Sequence, residues 1–144
     1  MLAPTRELAT QIEDEARKFA QELKIRVYSV VGGLSIEEQG FITSHGVEVM
    51  VATPGRLNDA LDRRYMVLNQ CNYVILDEAD RMIDLGFEEQ INLVMGRMPG
   101  GAGEDQSVAD LEKAQASGLI KRTTVMFTAT MPRAVKEVAS KYMR

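Results

Sequence analysis

The chain is 144 residues long, enough for one domain with a sizeable core and too short for a second of ordinary size. Hydrophobic residues make up 45% of it, which excludes a disordered chain, and no apolar run approaches the ~20 residues that span a bilayer. The 17 basic and 21 acidic residues leave a formal charge of −4, so bulk attraction cannot carry nucleic-acid binding, and any such role rests on a few placed groups.

The chain opens on Leu2-Ala3-Pro4-Thr5, which reads as the tail of a strand running straight into a helix. A parallel α/β domain rarely begins this way, and the pattern predicts an earlier strand and its unit upstream. Leu8, Ile12, Ala16, Phe19 and Leu23 recur every three or four residues and predict one apolar helical stripe. Val27 to Val31 reads as a strand that ends at Gly32-Gly33. Ser35-Ile36-Glu37-Glu38 then forms a capping box at a helix start, with Ser35 and Glu38 three apart. His45, beside Gly46, reads as a helix-end residue with no second His or Cys in sequence to suggest a metal site. Val47 to Ala52 is the next strand, and Thr53-Pro54 supplies an N-cap followed by proline at the first helical position.

Tyr73 to Leu76 and Thr124 to Phe127 read as strands, and Tyr73-Val74-Ile75-Leu76 and Val125-Met126-Phe127 are apolar without alternation, as expected of parallel strands covered on both faces. Phe87, Ile91, Val94, Met95 and Met98 predict a helix between them, and Pro132 opens a last helix carrying Val135, Val138, Ala139 and Tyr142. The Gly-rich, polar stretch over about 99–121 predicts a mobile surface insertion, with a short helix around Lys113. Strand alternating with helix implies right-handed crossovers and a parallel sheet, hence the α/β class. Cys71 is the only cysteine, which excludes an internal disulfide and favours a reducing, intracellular home; it reads as a small buried hydrophobe. The nine methionines read as core filler.

Parallel strands bring their strand-to-helix loops to one edge, where ligands of such sheets bind. Here those loops are Pro4-Thr5-Arg6-Glu7, Gly32-Gly33, Thr53-Pro54-Gly55-Arg56, Asp77-Glu78-Ala79-Asp80 and Thr128-Ala129-Thr130. Two carboxylates at the end of a buried strand need a reason to be there, and Mg²⁺ bound through water and phosphate supplies one at Asp77. Glu78 beside it could then act on an attacking water. Taken alone, the tetrapeptide reads equally well as an acidic cluster capping the next helix. Thr53, Gly55 and the helix start after them suit a phosphate, as do Arg6 and Arg56, while Gly32-Gly33 permits close approach of a nucleic-acid backbone. Singly, each has a stronger structural reading: a tight turn, or arginines paired with surface carboxylates. Thr128 and Thr130 could bond Asp80 across adjacent loops, or simply favour a strand.

In order and spacing these loops resemble the DEAD-box helicases. Ala3-Pro4-Thr5-Arg6-Glu7-Leu8-Ala9 is similar to their motif Ia, Gly32-Gly33 to their glycine doublet, and Ala52-Thr53-Pro54-Gly55-Arg56 to motif Ib. Val74 to Met82 resembles the Walker B motif that names the family, and Phe127 to Pro132 resembles motif III, with Thr-Ala-Thr where most members have Ser-Ala-Thr. The resemblance implies a partial first RecA-like, P-loop NTPase domain over 1–144, holding motifs Ia to III and lacking its first strand and phosphate loop. It implies that ATP and Mg²⁺ are the cofactors, and that a second RecA-like domain closes with this one on RNA. Asp77 would hold Mg²⁺ through water, and Glu78 would act on the attacking water. Asp80, Thr128 and Thr130 would couple nucleotide state to RNA. Pro4, Thr5, Arg6, Gly33, Thr53, Gly55 and Arg56 would touch the RNA sugar-phosphate backbone. Asp80 to Phe87, the insertion after Pro99 and Thr124 to Pro132 further resemble members that act in pre-mRNA splicing at the 5′ splice site. That implies a nucleus-located protein with spliceosomal partners.

No Gly-x-x-x-x-Gly-Lys-Ser/Thr loop occurs in the 144 residues, so the chain by itself is expected to hydrolyse no ATP. Two classes of function therefore stand. One is a portion of an ATP-dependent RNA helicase that couples hydrolysis to unwinding or remodelling. The other is a standalone, non-catalytic RNA- or protein-binding module on the same fold.

Overall fold

In the computed structural model, which describes residues 1–99 and 122–143, helices and parallel strands alternate along the chain. Helix α1 (Arg6–Ala20) runs into a short 3-10 turn (Gln21–Leu23) and then strand β1 (Val27–Val30). Helix α2 (Ile36–Ser44), β2 (Val49–Ala52) and α3 (Pro54–Asp62) follow. Strand β3 (Tyr73–Leu76) leads to α4 (Ala79–Asp84) and α5 (Glu88–Gly96), and β4 (Thr123–Met126) to α6 (Arg133–Tyr142). The insertion predicted over 99–121, with its short helix, lies outside the described residues except for Pro99.

Strands β1 and β2 form one parallel pair, β3 and β4 another, and Leu2 joins the two by bridging Ala52 on one side and Leu76 on the other. The N-terminal tripeptide is thus the middle of the sheet. The Leu2 N–H donates to Ile75 O at 2.8 Å, and the Asp77 N–H donates to Leu2 O at 2.9 Å. Facing β2, the Ala52 N–H donates to Met1 O at 2.9 Å and the Ala3 N–H to Ala52 O at 3.0 Å. The predicted strand tail is present over Met1 to Ala3.

Alternate residues enter opposite layers, as the pleat requires. Ala3, Val27, Val31 and Val51 pack with Ala9 and Ala20 of α1, whereas Leu2, Val30, Ala52, Val74 and Leu76 pack with α3, α5 and α6. The first layer rests on small side chains. Ala9, Glu13, Ala16 and Ala20, spaced by four, three and four, make a ridge that lets α1 lie against β1 and β2, flanked by half-buried Leu8 and Ile12. Phe19 and Leu23, predicted to share that stripe, are 80% and 68% exposed: Phe19 sits on the outer flank of the ridge and Leu23 beyond the helix. Glu13 is buried there instead, its carboxylate held by Arg17.

The expectation that β3 and β4 are covered on both faces holds for one face of β3 only. Val74 and Leu76 are buried, but Ile75 is half-buried because α1 packs over β1 and β2, and Thr124, Val125 and Met126 of β4 are all half-buried. The capping box is also half-formed. Ser35 Oγ accepts the Glu38 N–H at 3.2 Å, but it donates to Glu37 Oε2 rather than drawing Glu38 back.

Candidate functional site

All five strand-to-helix loops emerge at the carboxyl edge of the sheet, and the sheet order sorts them into two groups. Behind β3 and β4 lie the acidic tetrapeptide and the threonine loop; behind β1, β2 and Leu2 lie the glycine and arginine loops.

The first group is cross-linked. Phe127 N–H donates to Leu76 O at 2.8 Å, and Ala79 N–H donates to Phe127 O at 3.1 Å, which carries the β3–β4 ladder past the strand ends. Thr130 then donates twice to Asp80 Oδ2, from its N–H at 3.0 Å and from its hydroxyl at 2.8 Å. The Asp80 N–H donates to Thr128 Oγ1 at 3.2 Å, and that hydroxyl donates to Thr130 O at 2.7 Å. The Thr130 hydroxyl holds the Asp80 carboxyl below its ordinary pKa, with further help from the Arg81 and Thr130 N–H groups. Asp80, Thr128 and Thr130 thus form one unit that fixes the fourth loop of the chain to the fifth.

Asp77 and Glu78 lie beside it. Asp77 is half-buried at the end of β3, with Oδ1 accepting the Glu78 N–H at 3.0 Å. Glu78 is the N-cap of α4 in a left-handed conformation (φ +48°), which a residue bearing a Cβ adopts at a cost of about 1–2 kcal/mol. Its carboxylate meets Arg81 at 3.2 Å. Among the described residues no cluster of three or more His, Cys, Asp or Glu is arranged to hold a metal. Mg²⁺ needs less than that: one carboxylate, water and phosphate suffice, and a half-buried Asp77 with one oxygen engaged by its neighbour's amide fits that donor set.

In the second group, Thr5 caps α1 by accepting the Leu8 N–H at 3.3 Å, and Pro4 is buried, fixing the turn into the helix instead of facing solvent. The Arg6 guanidinium lies on Gly33, and Gly33 has φ +85°, so the backbone demands glycine, whereas the exposed end of Arg6 could swing aside from an added Cβ. Arg6 remains 57% exposed at its side chain, with only a 3.9 Å pairing to Glu7. Arg56 differs. Its Nε donates to Gln39 Oε1 at 3.1 Å, its Nη2 to Leu34 O, and its Nη1 lies 3.8 Å from Asp59, leaving the side chain 17% exposed. It braces the glycine loop. Thr53 caps α3 without a side-chain bond, and the first-turn N–H groups that follow have no intrahelical partner. Gly55 there is exposed, and a Cβ added to it would touch nothing within 4 Å. The sequence reading missed Gln39 and Arg81, because burial of a glutamine and pairing across one helical turn leave no periodic mark.

The family model of the DEAD/DEAH box helicases matches residues 1–138. The chain is 58% identical over 144 residues to DEAD-box ATP-dependent RNA helicase 21 of Oryza sativa, covering 100% of this chain and 19% of that protein. It is 53% identical over 148 residues to the pre-mRNA-splicing ATP-dependent RNA helicase prp28 of Neosartorya fischeri, covering 100% of this chain and 18% of the relative. The crystal structure of the yeast DEAD-box splicing factor Prp28 superposes with a TM-score of 0.82 at 37% identity, covering 99% of this chain and 30% of that one. The chain therefore spans about a fifth of the length of these curated relatives.

The Asp80 network makes a pH-dependent prediction. A carboxyl whose folded pKa is depressed stabilises above its unfolded value of 3.8 and loses that contribution as pH falls through the folded value. Thr130→Val removes the hydroxyl but keeps the N–H, so the Asp80 pKa should rise toward 3.8. A carbon-13 NMR titration of the Asp80 carboxyl reads this directly, and an unmoved midpoint would refute the attribution to the Thr130 hydroxyl.

Proposed function

The chain belongs to the DEAD/DEAH box helicase family, and from that membership we propose that it is part of the first RecA-like domain of an ATP-dependent RNA helicase acting in pre-mRNA splicing. The observation that carries the proposal is the bonding of Asp80 to Thr128 and Thr130 beside Asp77 and Glu78, on a sheet whose Leu2 links them to the glycine and arginine loops. Chemistry at one end of the edge and strand binding at the other then share a rigid base.

Asp77 would hold Mg²⁺ through water, and the ion bound with ATP would neutralise charge on the transferring phosphate. Glu78 orients and deprotonates the attacking water as general base, released for this from Arg81. Asp80, Thr128 and Thr130 transmit the nucleotide state to the second RecA-like domain and to RNA. On the other side, Arg6 and the N–H groups around Gly33, Thr53 and Gly55 take phosphate and sugar oxygens, with Pro4 and Thr5 setting the turn that presents Arg6. Arg56 acts on the same edge by holding it. None of the loops Pro4–Glu7, Gly32–Gly33 and Thr53–Arg56 contains an aromatic residue, so bases are not stacked there. Binding through the backbone positions a strand without reading its sequence, distinguishes RNA from DNA by 2′-hydroxyls, and weakens with salt. Spliceosomal proteins are the partners and the nucleus the compartment, in keeping with the splicing relatives. The activity is that of the longer protein; the 144 residues alone are expected to hydrolyse no ATP.

In the intact protein, Glu78→Gln should slow single-turnover ATP hydrolysis by about 10²–10⁴-fold while leaving the ATP- and RNA-bound state able to form, since the amide keeps the shape but cannot accept a proton. Near-normal hydrolysis in that variant would remove Glu78 from the catalytic role.

Gly55 separates folding from binding. Alanine at this open helical position should leave stability unchanged or raise it by about 0.4–1 kcal/mol. The added methyl should nonetheless weaken RNA binding by a similar factor for oligonucleotides of different sequence, measured by fluorescence anisotropy. Undiminished affinity would mean that no backbone approaches α3 here.

A further inference from the structure

Gln39 is the most deeply buried polar side chain among the described residues, 1% exposed, yet its helix is capped by exposed Ser35 and ends at exposed Ser44. Its amide is used at both ends. Nε2 donates to Val31 O at 2.9 Å, and Oε1 accepts the Arg56 Nε–H at 3.1 Å. The orientation is forced, because a flipped amide would set oxygen against the Val31 carbonyl and NH₂ against the Arg56 N–H. Arg56 in turn donates from Nη2 to Leu34 O. The glycine doublet is therefore clamped before and after, at Val31 by Gln39 and at Leu34 by the arginine that Gln39 orients.

We propose that Gln39 is a positioning residue for RNA binding: it locks the Val31–Leu34 loop and the start of α3 into one preorganised surface, acting through Arg56. The inference rests on the reading of this edge as the RNA face. A leucine of similar volume would fill the same space, but it would leave a carbonyl and a guanidinium N–H unpartnered and free the loop to fluctuate. The ordering cost would then fall on the binding step and appear as lost affinity. Arg6, lying on Gly33, would lose its seat with the loop.

The test compares Gln39→Leu, Gln39→Glu, Arg56→Ala and the Gln39→Leu/Arg56→Ala double variant in the intact protein. Affinity for single-stranded oligouridylate is measured by anisotropy with a non-hydrolysable ATP analogue, alongside thermal midpoints. Gln39→Leu should weaken RNA binding about tenfold, and the double variant should bind no worse than Arg56→Ala alone, since both act through one clamp. Gln39→Glu keeps the acceptor for Arg56 but faces the Val31 carbonyl with a carboxylate. It should therefore weaken RNA binding clearly less than Gln39→Leu does, although its thermal midpoint falls. Affinities that simply track thermal midpoints, with Gln39→Glu binding worse than Gln39→Leu, would reduce Gln39 to a structural residue and overturn the proposal. So would additive losses in the double variant. If Arg56→Ala weakens binding and Gln39→Leu does not, the clamp is wrong while the RNA face stands. If neither weakens it, the assignment of this edge falls as well.

Discussion

Leu2 and its two neighbours, Met1 and Ala3, hydrogen-bond to both halves of the sheet, and the relative position of every functional loop depends on Leu2. Its N–H and carbonyl pair with Ile75 and Asp77, while Met1 and Ala3 on either side pair with Ala52. Its side chain, 2% exposed, packs into the larger core with Val30, Ala52 and Leu76. Two parallel pairs of four-residue strands would otherwise have no common ladder. Because the chain turns into α1 only three residues later, the same short stretch that closes the sheet also delivers Thr5 and Arg6 to the edge. Sheet closure and site assembly are one event.

Each half of the edge is then tied by a different device. Around Asp77 to Asp80 the ties are bonds between one loop and the next, Asp80 to Thr128 and Thr130, made at the exposed surface where they can be remade. Around Gly33 and Gly55 the ties run inward, from the loops to a buried glutamine and a mostly buried arginine. Such a division suits an enzyme in which one set of loops senses a nucleotide and the other holds a strand in fixed geometry. Preorganised phosphate contacts lose little freedom on binding, whereas loops that report nucleotide state need alternative partners. On the proposed function, Glu78, left-handed and paired with Arg81, belongs to the second kind.

The family, the fold class and the identity of the edge loops were legible because each is a local property. The Tyr73 to Leu76 strand, the capping Ser35, the proline after Thr53 and the Asp77-Glu78-Ala79-Asp80 tetrapeptide report themselves through composition and spacing over a few residues. Family membership follows from the order of five such signals. The four strands were located to within two residues for the same reason.

What failed locally depended on packing. A pattern of large apolar residues pointed to Phe19 and Leu23 as core, but α1 approaches β1 and β2 through Ala9, Glu13, Ala16 and Ala20, where small side chains permit close contact and Arg17 neutralises the one acid. The bracing of Arg56 left no local mark because its partners, Gln39 and Leu34, lie 17 and 22 positions away. The sequence by itself determined which chemical groups stand at the carboxyl edge of a parallel α/β sheet, since strand ends and helix starts are set by near neighbours. Only the tertiary structure decided which of those groups stay free and which are consumed as braces, because a hydrogen bond across the fold is fixed by where packed helices bring distant side chains.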